Sequence, residues 1–266
     1  MTTDSSEGSA PGASGDVTAR DPELVHLQVW DQVATITLDS PHNRNALSRQ
    51  LVAELHAHLE RAEADPAVRV VLVQATGTVF CSGADLTEAT ADGMEEGARR
   101  IVALQRLIVA MGKPVVARVQ GPVRAGGIVA AADIAIAADD VTFALTEVKL
   151  GLAAAIISLT VHHRMHPRAA AVTTLGGASF TGVKAAAYGL ITTSVPRSEL
   201  NDEVARTCGE LATGAPQGLR ESKRILNRDL LARIDAHGEE MATLSARLFA
   251  SDEARAAMTA FLTKKR

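Results

Sequence analysis

Apolar residues recur along this chain with two different periods. Val25 to Trp30 and Val33 to Leu38 are β-rich runs separated only by Asp31-Gln32, the spacing of a hairpin. Leu47, Leu51, Val52, Leu55 and Leu59 fall at helical spacing, so Ser48 to Ala64 is predicted as an amphipathic helix that Pro66 stops. Val68 to Gln74 and Val115 to Val119 are almost continuously apolar, the pattern of strands covered on both faces. Between them, Glu88 to Gly97 is polar and reads as a loop or short helix. Ala98 to Met111 reads as a helix with Ile101, Leu104, Leu107 and Ile108 on one face. A short helix over Gly126 to Ala132 and strands over Ile134–Ala138 and Val141–Leu145 follow. This alternation predicts repeated βαβ units with right-handed crossovers.

After Gly151 the pattern turns to Ala-rich helix. Helices are predicted over Arg168–Leu175, Val183–Ala187, Glu199–Thr213 and Pro216–Ile234, with Gly214-Ala215-Pro216 as a break. A last pair is predicted near Glu239–Ala250 and Asp252–Thr263. The apolar faces of this region exceed what one sheet covers, so it is expected to pack on other copies of the chain. The expected organisation is a disordered tail over 1–20, a core over 21–195 and a helical oligomerisation region over 196–266.

Composition narrows the class. Of 266 residues 47% are hydrophobic but only 3% aromatic, so the core must be aliphatic, as suits an α/β protein. The formal net charge is −4 with no block of like charge, which argues against nucleic-acid and membrane partners. Lys264-Lys265-Arg266 reads as a solvated end. Cys81 and Cys208 make neither a disulfide framework nor a zinc spacing, and Cys81 reads as a small apolar filler. His162, His163 and His166 do not align with a third ligand; no metal site is expected, and they read as a solvated helix end. No apolar run reaches membrane-spanning length, and the first twenty residues resemble neither a signal nor a transit peptide. The expected location is cytoplasmic. No Gly-x-Gly-x-x-Gly opens a helix after the first strand, so a dinucleotide fold is not expected.

Candidate chemistry lies in two segments. Phe80-Cys81-Ser82-Gly83-Ala84-Asp85-Leu86 follows one apolar run, and Arg124-Ala125-Gly126-Gly127 follows the next. Each reads as a strand opening into a small-residue turn. Such turns bare backbone N–H groups, and two of them converging can hold a developing oxyanion. Asp85 reads chiefly as a residue that ties down its turn. Glu147, in Leu145-Thr146-Glu147-Val148-Lys149-Leu150-Gly151-Leu152, is the best acid/base candidate, because an apolar setting raises a carboxyl pKa. The bland alternative is a surface carboxylate paired with Lys149, which β-like alternation would place on the same side.

Together with Thr35-Ile36-Thr37-Leu38-Asp39-Ser40-Pro41, Arg44-Asn45-Ala46-Leu47-Ser48, Lys113-Pro114-Val115-Val116-Ala117 and Gly121, these segments resemble the enoyl-CoA hydratase/isomerase (crotonase) superfamily from about Val25 onward. The resemblance implies a crotonase fold, with repeated ββα units forming a spiral core and a C-terminal helical region that makes trimers, often stacked as hexamers. It implies an acyl-CoA thioester substrate, with coenzyme A as part of the substrate and no separate cofactor. The implied oxyanion donors are the N–H groups of Ala84 and Gly126, with Glu147 as proton carrier. The Asn45-Ala46-Leu47 turn, Cys81, Ser82 and Ala84 match the family's CoA-facing backbone. His42 and Arg44 are candidates to meet phosphates, a solvated loop being the alternative. Phe261 and Lys264 match a segment that in relatives reaches a neighbouring subunit's CoA, simple packing being the alternative for Phe261.

The chain departs from the pattern in three places. No carboxylate lies between Gly126 and Asp133, so the first glutamate of paired-carboxylate hydratases is absent. The same stretch is about two residues short. Either the helix ends early or the loop Val123-Arg124-Ala125 stretches, since two residues rotate a helix by roughly 200°. The family's proline after Gly151 is replaced by Ala154. The wording is closest to single-glutamate acyl-CoA hydratases, including the methylglutaconyl-CoA type. The expected reaction is hydration of an enoyl-CoA, a lyase activity suited to fatty-acid or lipid metabolism. A Δ3,Δ2-enoyl-CoA isomerase using the one glutamate and a catalytically decayed acyl-CoA-binding subunit are the alternatives.

Overall fold

The computed structural model describes residues 22–88, 91–124 and 126–263. The predicted tail over 1–20, Lys264 and the Phe261 side chain lie outside what is described.

β1 (Val25–Trp30) and β2 (Val33–Leu38) form the predicted hairpin, with Asp31 and Gln32 both at positive φ, 46° and 66°. That is the handedness a two-residue turn needs to match strand twist. α1 (Arg49–Ala64) starts at Ser48, whose hydroxyl accepts from the Leu51 N–H, and buries Leu51, Leu55 and Leu59. Then come β3 (Val70–Ala75), α2 (Ala91–Ala110), β4 (Val115–Val119), β5 (Val123–Arg124), α3 (Gly127–Ala131), β6 (Ile134–Ala138) and β7 (Thr142–Ala144). The rest is α4 (Ala155–Arg164), α5 (Pro167–Gly176), β8 (Phe180–Thr181), α6 (Gly182–Ala187), β9 (Thr193–Val195), α7 (Leu200–Ala212), α8 (Pro216–Leu226), α9 (Arg228–Phe249) and α10 (Asp252–Thr263).

The main sheet has the order β1-β2-β3-β4-β6-β9 and is parallel from β2 onward. β5, β7 and β8 form a smaller second sheet. Because β2, β3, β4 and β6 run the same way, the loops that follow them emerge at one edge. Ligands of open parallel sheets bind at that carboxyl edge.

α4 was not among the predicted helices, and two helix boundaries differ from the prediction. The polar stretch before Ala98 belongs to α2, which is continuous from Ala91. Glu95–Arg99 and Glu96–Arg100 ion pairs at i,i+4, and an Arg99–Glu239 pair to α9, support a turn that apolar periodicity does not reveal. The helix predicted over Pro216–Ile234 breaks at Asn227, whose side chain is spent on the Val109 carbonyl and on Asp133. The following helix then runs unbroken through Gly238. A Cβ there would stand 2.8 Å from the Val102 side chain, so this glycine allows α9 to lie close against α2.

A buried polar network ties these parts together. Lys223 of α8 is 4% exposed; its Nζ meets Asp133 Oδ2 at 2.8 Å and donates to the carbonyls of Ile108 and Lys113. Asp133 also accepts from the Val115 N–H at the start of β4. Truncating one member of a buried pair leaves its partner's charge uncompensated. Lys223→Met is therefore expected to cost about 3 kcal/mol of stability, read by urea denaturation. A loss under about 0.5 kcal/mol, the range of surface substitutions, would contradict this.

Candidate active site

The loops at the carboxyl edge are hydrogen-bonded to one another as though they were strands. Ser82 N–H donates to the Arg44 carbonyl at 3.1 Å and Leu47 N–H to the Gly83 carbonyl at 2.8 Å, which pairs Leu47 with Ala84 in parallel. Cys81 pairs with Val123, also in parallel, through Cys81 N–H to Pro122 and Arg124 N–H to Cys81. Val123 and Arg124 in turn pair with Phe143 and Ala144. Thus the segments leading to Leu47, Ala84, Gly126 and Glu147 lie side by side. Ala84 and Gly126 each stand three residues past the bridged pair.

Asn45 anchors the first of these loops. It is fully buried at φ 52°; its amide donates to the carbonyls of Thr76 and Val79 and accepts from the Ser40 N–H. Gly83 has φ 97°, open to glycine but strained for other residues, and there the chain turns after Ser82. With the Gly83 carbonyl given to Leu47, no acceptor among the described residues takes the N–H of Ala84, and none takes that of Gly126.

α3 ends early, which is one of the two ways expected to absorb a shortened stretch. α3 has five residues, and Ala132 is already extended at φ −59°, ψ 149°. Val123 and Arg124 lie in the ladder with β7; Ala125 lies outside the described residues. The buried C-terminal end of α3 is capped from α4. Arg164 Nε donates to the Ala130 carbonyl at 3.0 Å and Nη2 to that of Ala132 at 3.3 Å.

Glu147 opens a 3-10 turn, Glu147–Leu150, closed by Gly151 in the left-handed conformation. In this geometry residues two apart face in different directions, which corrects the reading from alternation. Lys149 is exposed, and no ion pair joins it to Glu147 among the described residues. Glu147 is half-buried, and its Oε2 is shut from solvent with no hydrogen-bond partner. Burial raises its carboxyl pKa, opposed weakly by a hydrogen bond from its own backbone N–H.

Glu147 and Ala84 line one cavity of about 150 Å³, with Ser82, Gly83, Arg124 and Gly127. Gly126 is buried behind this lining rather than on it. The remaining wall is mostly apolar: Leu47, Ile101, Leu150, Leu152, Ile156, Ile157 and Phe249. A smaller compartment of about 80 Å³ adjoins it, sharing Leu47, Ala84 and Phe249 and rimmed by Arg49, Asp85, Glu88 and Arg100. Asp85 holds its turn, as expected, through Thr87 and Asn43.

Other predicted residues stand apart. His42 and Arg44 are exposed and Ala46 is buried, and none of the three lines the cavity. Cys81 is buried, its thiol pushed up to about 11 by desolvation, in keeping with a filler. His162 bonds Thr174, and no group of metal-ligating side chains occurs among the described residues. No described helix is long and apolar enough to cross a membrane. Arg124, Ser245 and Phe249 were not singled out by the sequence. The last two come from α9, about a hundred residues beyond Glu147 in the chain.

Comparison with known proteins bears on the family. A candidate enoyl-CoA hydratase of Thermus thermophilus is 34% identical over 202 residues, covering 73% of this chain and 80% of that protein. A hydroxycinnamoyl-CoA hydratase-lyase of Pseudomonas fluorescens is 31% identical over 217 residues, 77% of this chain and 79% of that one. The crystal structure of an enoyl-CoA hydratase from Mycobacterium avium superposes with a TM-score of 0.86 at 45% identity, over 92% of this chain and 98% of that one. The family described as enoyl-CoA hydratase/isomerase matches residues 29–266. By fold, by loop architecture and by these matches, the chain belongs to the enoyl-CoA hydratase/isomerase family.

Proposed function

We propose that the protein hydrates an α,β-unsaturated acyl-CoA thioester. The observation that carries this reading is the buried, unpartnered Glu147 Oε2 in the cavity that Ala84 also lines. In the proposed mechanism the thioester oxygen accepts from the N–H groups of Ala84 and Gly126. Adding water at the β-carbon leaves an enolate whose charge those donors stabilise. A donor of this kind typically contributes about 3 kcal/mol to lowering the barrier. Glu147 takes the proton from water and returns one to the α-carbon, and its raised pKa suits both steps. Coenzyme A belongs to the substrate, and the backbone from Arg44 to Leu47 with Ser82 is proposed to line its approach. The Pseudomonas relative, a hydratase-lyase by name, supports hydration as the step to test first.

An isomerase is the second reading. It rests on one observation: among the described residues Glu147 is the sole carboxylate on its cavity. α3 offers only apolar side chains, and Asp133 is engaged by Lys223, Asn227 and Val115. One carboxylate suffices to move a proton between the α- and γ-carbons. Crotonyl-CoA and a β,γ-enoyl-CoA separate the readings. Loss of enoyl-thioester absorbance from crotonyl-CoA supports hydration. Its appearance from the β,γ-isomer, with crotonyl-CoA inert, supports isomerisation, and neither change would indicate a binding subunit.

Three outcomes are expected. Glu147→Gln lowers turnover by about two orders of magnitude or more, the scale of a lost acid/base, while acyl-CoA binding by calorimetry stays near wild type. Wild-type turnover in this variant would remove Glu147 from the mechanism.

The same variant has a stability signature. A carboxyl pKa raised by folding contributes stability that is full below its unfolded value and lost as pH rises through the folded one. Glu147→Gln is thus expected to have a higher Tm than wild type near about pH 8, with the gain gone near about pH 4. A pH-independent difference would contradict the burial argument.

A trimer or hexamer is proposed. The exposed apolar residues Val172, Leu175, Val183, Ile225 and Leu226 form the supporting observation. Light scattering showing a stable monomer at micromolar concentration would overturn it.

A further inference from the structure

The two adjoining compartments share one polar side chain, that of Ser245 on α9, and Ala84 stands at the same junction. Ser245 is 8% exposed. It faces inward because Gly238, two turns earlier on the same buried stripe, lies against Val102 of α2. A serine or threonine within a helix commonly turns its hydroxyl back to a carbonyl three or four residues before it. Thr173 and Thr259 do so, bonding Ala169 and Arg255. No such bond forms at Ser245, and among the described residues nothing donates to its hydroxyl or accepts from it.

An unpaired hydroxyl in an apolar wall carries a desolvation cost until a partner arrives. Glu147 Oε2, on the same cavity, is unpartnered as well, so the two oxygens are not bonded to each other. A water molecule is held where it finds two or more polar partners, and these two can each accept one of its protons. The other polar side chains of the lining suit this role less. Ser82 gives its hydroxyl to the Asn43 carbonyl, Arg124 has donors only, and Thr146 belongs to the same turn as Glu147. α3 brings no polar side chain to the cavity. Ala84 is the proposed donor to the thioester oxygen, so the carbons next to the thioester enter the cavity at the junction where Ser245 stands.

We propose that Ser245 is a further catalytic residue, which holds the water that attacks the β-carbon and, after attack, the β-hydroxyl of the product. The inference rests on the hydration reading above and adds to it the group that stands in for a second carboxylate. Water donates one O–H to Glu147 and the other to Ser245 Oγ, which leaves a lone pair for the β-carbon. As the C–O bond forms, the π electrons of the double bond pass to the thioester oxygen. Glu147 takes the first proton and delivers it to the α-carbon as the enolate collapses. The second proton stays on the new hydroxyl, still donated to Ser245, which ends the step with its own proton in place.

The test has a kinetic arm and a binding arm. In Ser245→Ala, kcat for crotonyl-CoA hydration should fall about tenfold, the scale of one hydrogen bond made to the attacking group. KM, and the affinity for unreactive butyryl-CoA, should change less than about threefold. Ser245→Thr, which keeps the hydroxyl, should recover part of the rate. The binding arm uses calorimetry in the slowed Glu147→Gln background, with 3-hydroxybutyryl-CoA against butyryl-CoA. The hydroxylated ligand should bind about tenfold more tightly, and adding Ser245→Ala should abolish that preference. Equal weakening of both ligands would mean that Ser245 serves the CoA portion or the fold, and would overturn the proposal. A loss of rate found in Thr146→Val in place of Ser245→Ala would overturn it too. The two arms keep the readings apart. If crotonyl-CoA is inert yet the Ser245-dependent preference is present, the hydration reading fails and the hydroxyl site stands. If crotonyl-CoA is hydrated and Ser245→Ala leaves kcat and the preference unchanged, hydration stands and the role of Ser245 falls.

Discussion

The parallel bridge between Cys81 and Val123 is the constraint on which the site depends. It makes strand-like neighbours of two loops that follow different strands of the sheet, β3 and β4. Backbone hydrogen bonding in a ladder fixes register, and a slip of one residue turns every group to the opposite face. With register fixed, the segments that lead to Ala84 and to Gly126 run side by side. The flanking pairings, Leu47 with Ala84 and Arg124 with Ala144, extend the same ladder to the loop before α1 and to the turn that bears Glu147. The proposed donors and the proposed acid/base thus follow segments of one hydrogen-bonded frame, an arrangement that suits electrostatic preorganisation.

This frame also explains how the chain tolerates a short α3. α3 has only five residues, and two features serve its C-terminal end, away from the ladder. Arg164 satisfies carbonyls that a longer helix would have bonded internally. Asp133, just beyond, fastens β6 to β4 and to Lys223 and Asn227. A polar network remote from the cavity thus meets the C-terminal end of the short helix. Where the resemblance would place a first glutamate, α3 offers the cavity only Gly127 and Ile128.

Much of this was legible in the sequence, and the exceptions share a cause. β3, β4 and β6 appeared because burial on both faces writes continuous apolar runs, β1 and β2 because two β-rich runs are parted by only two residues, and α1 because Leu51, Leu55 and Leu59 mark one face. The start of α2 was hidden because ion pairs, not apolar spacing, stabilise it. The break at Asn227 and the continuity through Gly238 depend on what each residue touches in a distant helix. At Glu147 the residue was legible and its neighbourhood was not, since a 3-10 turn and a strand cannot be told apart over four residues of this composition. Arg124 could have been noticed as a lone charge among apolar residues at the end of a strand. Its place on the cavity, like that of Phe249, is a product of tertiary packing alone.

The most direct test of the account is a crystal structure with an unreactive acyl-CoA bound. It predicts the thioester oxygen about 3 Å from the backbone nitrogens of both Ala84 and Gly126, with the Glu147 carboxylate over the α- and β-carbons of the acyl group. A thioester oxygen bonded elsewhere, or a Gly126 N–H turned out of the cleft, would contradict it.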